Sequence, residues 1–128
     1  METKSIYVED LHFEHKNWYK ELLFWKDELR SFNNRLEELV NRWTDRRVLA
    51  ELEQFQNQFI IHRNTLNEFI EQINAHELSI AERLKSDDES LNITLCNMHN
   101  SFREKMDTER RLFQDLKKRF FRFLGKYM

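Results

Sequence analysis

Proline is absent from this chain, and glycine occurs once, at Gly125. Tight turns, bulges and irregular loops lean on those two residues, so their scarcity argues against sheets and against a loop-rich domain. A single cysteine, Cys96, rules out an intramolecular disulfide and suits a reducing compartment. No apolar run approaches the ~20 residues of a membrane span. The first ten residues also lack the apolar centre of a secretion signal. The expectation is therefore a soluble, cytoplasmic protein, which makes the glycosylation-type triplet Asn92-Ile93-Thr94 incidental. A formal charge of −2 gives no global attraction to nucleic acid or anionic lipid. Glycine-rich phosphate loops, Cys-x-x-Cys pairs and nucleophilic-serine contexts are all missing, so the chain is expected to be non-catalytic, with no small-molecule substrate.

What is present is a strict helical period. With 40% hydrophobic and 34% charged residues, the composition suits long helices with solvated outer faces. Apolar residues recur at alternating steps of three and four in three segments. The first stripe runs Leu11, His15, Trp18, Leu22, Trp25, Leu29, Phe32, Leu36, Leu39, Trp43. The second runs Val48, Leu52, Phe55, Phe59, His62, Leu66, Phe69, Ile73, His76, Ile80, Leu84. The third runs Leu91, Leu95, His99, Phe102, Met106, Glu109, Phe113, Leu116, Phe120, Phe123, Tyr127.

Between Trp43 and Val48 the rhythm breaks, and Thr44 or Asp45 can cap a new helix. Ser86-Asp87-Asp88-Glu89 reads as a capping box for a third helix. The expected fold is all-α: one domain over 1–128, with helices at about 5–43, 46–85 and 88–124. Short turns predict an antiparallel up-down-up three-helix bundle with coiled-coil-like heptad packing. A much longer continuous helix that dimerises is the competing arrangement.

Folding the stripes about turns near residues 45 and 87 stacks them in layers of three. Trp43 falls with Val48 and Tyr127, Phe32 with Phe59 and Leu116, and Trp18 with Ile73 and Phe102. One layer is entirely polar: His15, His76 and His99. Beyond it, Leu11, Ile80 and Leu95 close the core again.

A buried polar layer can fix helix register, and imidazoles can satisfy one another or a trapped water. The same three imidazoles, converging, are also the donor type and number of an open Zn²⁺ site, with His12 or Cys96 as an extra ligand. Zinc is the one metal or cofactor the sequence suggests. Glu-x-x-His spacing, which carboxylate-bridged di-metal bundles require on two helices, occurs only at Glu9–His12. Glu109 is the other irregularity, and a buried carboxylate there needs a partner, either His62 or the Trp25 indole.

Charge is unevenly placed. Arg46, Arg47, Lys118, Arg122 and Lys126 gather at one end, beside Phe121 and Leu124, which lie off the seam. Cations interleaved with exposed apolar residues suit an acidic protein partner or self-association. Docking to nucleic acid or an anionic membrane is the alternative use of the same end. The leading expectation is a protein–protein interaction or scaffold role, and the alternative of another class is metal binding at the histidine layer.

Overall fold

The structure, a computed structural model, describes the backbone of residues 2–83 and 89–128 and the side chains of 9–82 and 93–128. Three long helices make up almost all of it: α1 (Glu2–Arg42), α2 (Arg46–Arg83) and α3 (Glu89–Tyr127). The described residues contain no strand. No helix is long and apolar enough to cross a membrane among the described residues.

Asp45 makes the break between α1 and α2 a defined start rather than a kink. Its Oδ1 accepts from the Arg47 backbone N–H at 2.8 Å, and its carbonyl accepts from Leu49 N–H at 3.0 Å. That is the side-chain bond and first helical bond of an N-cap. Trp43 finishes α1 by donating its indole N–H to the Tyr127 carbonyl at 3.0 Å, which satisfies a terminal acceptor of α3. Gly125 does not end α3, which continues past the expected boundary at 124 to Tyr127. The capping box at 86–89 and the stripe residues Leu84 and Leu91 lie outside the described side chains.

Every described stripe residue turns inward. All are buried except Trp43, Phe55, His62, His76 and Tyr127, which are half-buried. The main cluster runs from Trp18 to Phe123 and is rich in rings. Phe120 stands at its centre, 4.9 Å from Phe59, 5.2 Å from Phe55 and 5.4 Å from Phe32 between ring centroids. Such aromatic contacts add about 0.5–1.5 kcal/mol each beyond area burial. A second, small cluster of Leu11, Ile80 and Leu95 is separate from it. The histidines occupy the gap between the two.

Cross-helix contacts follow a regular order. From α1 to α3 the partners rise together: Glu14 with Arg103, Glu21 with Arg110, Glu28 with Lys117. From α1 to α2 the order reverses, with His12 on Glu77 and Phe32 on Phe59.

Because Phe120 is fully buried among rings, Phe120→Ala is expected to cost about 3–5 kcal/mol. Phe24, which is 60% exposed, should tolerate alanine within about 0.5 kcal/mol. Urea denaturation of both variants beside the parent checks the contrast.

Candidate functional site

The histidine layer is built by three helices, each contributing one imidazole where the seam otherwise carries an apolar side chain. His15 and His99 are buried and His76 is half-buried. Their rings approach as expected: His15 lies 4.9 Å from His99 and 5.7 Å from His76 between centroids. The Trp18 ring stacks on His99 at 4.8 Å, and Phe102 meets His76 edge-on at 5.5 Å.

Carboxylates hold both buried rings from outside. His15 Nδ1–H donates to Glu77 Oε1 at 2.7 Å, while Glu77 Oε2 accepts from His12 Nδ1 at 2.8 Å. His99 Nε2–H donates to Glu14 Oε1 at 2.6 Å, and Glu14 in turn takes a two-point bond from Arg103. The inward nitrogens, His15 Nε2 and His99 Nδ1, lie 3.2 Å apart. The result is one chain of polar contacts, Glu77–His15–His99–Glu14–Arg103, drawing on all three helices. Among the described residues, every buried side-chain nitrogen and oxygen has a partner.

His76 joins this layer through its ring rather than through that chain. A cavity of about 10 Å³ lies between the layer and Leu11, Ile80, Leu95 and Met98. That is room for one water at most. Among the described residues, no group of three or more His, Cys, Asp or Glu side chains is arranged to hold a metal ion. His12 is committed to Glu77, and Cys96 is half-buried with its thiol free of any disulfide.

Burial pushes all three imidazoles below their ordinary pKa, because desolvation disfavours the charged form. For His15 the bond to Glu77 acts against this, and for His99 the bond to Glu14 does. His15 lowers His76 further by like-charge repulsion, as does Lys105. Arg103 is the main reason the Glu14 carboxyl sits below its usual range, with the His99 bond adding to it.

The second irregularity resolves as a pair. Glu109 is buried on α3 and accepts from His62 Nδ1 on α2. Of the two expected partners it has the histidine, while the Trp25 ring is covered by Arg110 at 6.0 Å.

At the basic end, Arg46, Arg47, Lys118, Arg122 and Lys126 are exposed, and Phe121 is 49% exposed. Leu124 departs from expectation: it is half-buried, packed against the main core. Lys117 is also withdrawn from the free basic surface, since its ammonium binds Glu28 and lies 5.8 Å above the Phe121 ring. Phe121 itself meets Phe32 edge-on at 5.5 Å, so part of it belongs to the core.

The sequence reading did not single out the carboxylate supports or the ion-pair ladder of α1 and α3. The available signal was spacing: Glu14, Glu21 and Glu28 recur every seven residues, as do Arg103, Arg110 and Lys117. Comparison with family models, with curated proteins and with solved structures finds no match.

The lowered imidazole pKa values set the sign of an acid dependence. The unfolded chain takes up more protons as pH falls through about 6.5, so stability present above that pH is lost below it. The melting temperature is expected to be lower at pH 5.5 than at pH 7.5. Thermal melts at the two values check this, and equal midpoints contradict it.

Proposed function

We propose that this chain is a non-catalytic, up-down-up antiparallel three-helix bundle serving as a protein–protein interaction or scaffold element. The reversed order of α1–α2 contacts and the parallel order of α1–α3 contacts support that topology. Ion pairs repeating every seven residues beside the seam support coiled-coil-like packing. In this reading the seam is used up in folding, and the working surface lies outside it.

One observation carries the functional part. Phe121 stays half exposed at a helix end where Arg46, Arg47, Lys118, Arg122 and Lys126 are all exposed. A half-exposed aromatic ring at an end that carries exposed cations matches the residue types that dominate interface energetics, and it favours a partner surface carrying acidic groups around an apolar pocket. The reducing, cytoplasmic setting inferred from the lone cysteine belongs to the same proposal.

Substituting Phe121→Ser together with Lys118→Glu and Arg122→Glu tests it. The variant should keep its helical circular dichroism and lose less than about 2 kcal/mol, since only one partly buried ring contact is removed. Sedimentation velocity and cross-linking in extract should then show loss of the association that the parent makes. An unchanged oligomeric state and unchanged cross-links would overturn the proposal. Salt-sensitive binding of the parent to DNA or anionic vesicles, lost in the variant, would replace the protein partner with that polyanion.

A further inference from the structure

An edge runs along the bundle between each pair of helices, and the edges differ. The α1–α3 edge is closed by ion pairs at every heptad step, Glu14–Arg103, Glu21–Arg110 and Glu28–Lys117. The α2–α3 edge is open for part of its length. Arg119 bonds Gln58 across it at 3.0 Å. Farther along, a groove of about 580 Å³ separates Glu68, Phe69 and Gln72 of α2 from Ser101, Lys105 and Thr108 of α3.

Heptad spacing extends the groove walls toward the basic end. Ile61 lies seven residues before Glu68, and Leu112 lies seven after Lys105, so each continues the same face of its helix. Both are large apolar side chains left exposed, at 62% and 48%. They stand level with one another, because the rings of His62 and Phe113, next to them in sequence, meet at 5.9 Å.

Charge on these walls is divided by helix. Glu68 stands on the α2 wall and Lys105 on the α3 wall, and among the described residues neither forms an ion pair. One heptad beyond the Gln58–Arg119 contact the same division returns, with Glu51 on α2 and Lys126 on α3, both exposed. Two other carboxylates border the groove. Glu109 is bonded to His62, and Glu104 sits about 100° around α3 from Lys105, on the outer rim.

We propose that the α2–α3 face is the contact surface of a parallel, two-fold symmetric dimer of this chain. An axis running along the groove sets α2 of each copy against α3 of the other at the same level. Ile61 then packs on the partner's Leu112, Glu68 pairs with the partner's Lys105, and Glu51 pairs with the partner's Lys126. Every contact occurs twice, which is the self-complementarity that a two-fold interface needs. The antiparallel sense does not match. Centred on the same apolar pair, it would set Lys105 against the partner's Arg119, since both lie seven residues from Leu112. Phe121 belongs to a different face, on the α1 side of α3 against Phe32, so the dimer does not rest on the partner surface proposed above.

Sedimentation equilibrium, carried to about 500 μM so that a Kd as weak as ~1 mM is detected, tests the dimer. The parent should approach twice the monomer mass as concentration rises. Ile61→Asp should keep its helical circular dichroism and remain monomeric. Glu68→Lys and Lys105→Glu should each weaken association about tenfold, because either one places like charges in two contacts. An equimolar mixture of those two variants should regain it, since each contact between these positions in the mixed dimer again joins opposite charges. A parent that stays monomeric overturns the proposal, and cross-linking of its α2–α3 face to another protein in extract would give the groove to that partner instead. A dimer that survives Ile61→Asp, or a mixture that does not regain association, overturns it as well.

Discussion

Burial of one apolar seam on each helix is the constraint from which the rest of this structure follows. Steps of three and four keep a stripe on one side of a helix for its whole length, and three such stripes can be hidden only against one another. Nothing else in the chain has comparable weight. Exposed ion pairs such as Arg30 with Asp27 contribute about 0–1 kcal/mol each, whereas burying one Leu or Phe is worth about 1.5–3 kcal/mol before chain entropy. Continuity of the seam is what allows Asp45 to restart a helix without loops, prolines or a disulfide to fix the geometry.

Against that background the polar interruptions have meaning by position. The histidine layer divides the large ring-rich cluster from the small one of Leu11, Ile80 and Leu95, so it spends buried volume on polar contacts where three more aliphatic side chains would fit. A fully satisfied buried network gives uniqueness more than stability, because any slip of one helix against another leaves its polar groups unpaired. Glu109 with His62 does the same farther along α2 and α3. The ion pairs of Glu14, Glu21 and Glu28 with α3 reinforce a single register at the edge of the seam. Glu14 belongs to both systems, linking the ladder to the buried pair.

Much of this was legible from residue order alone, for a physical reason. The helical period survives any tertiary detail, so each described seam residue could be placed inward, including the three histidines and Glu109. What could not be read was how the histidines are satisfied. Glu14 and Glu77 flank the seam, where a carboxylate looks like any solvated charge, and only the rotation of one helix against another turns it toward a ring. Leu124 misled for a similar reason: it lies next to the seam residue Phe123, and the bundle end is narrow enough to draw it into the core. The third helix runs past its expected boundary at 124, because Tyr127 meets Trp43 edge-on at 5.4 Å and holds the last turn in place.

The arrangement of the helices is tested most directly by a distance between nitroxide labels at Asn17 and Asn74, both exposed, in a chain with Cys96→Ser and diluted into unlabelled protein. Neighbouring antiparallel helices put these sites level, within about 25 Å, given axes 8–10 Å apart and labels on outer faces. Dilution should leave that distance unchanged, because both labels belong to one hairpin. A continuous helix would separate them by about 85 Å at 1.5 Å per residue. A long distance, or a short one that disappears on dilution, would contradict the account.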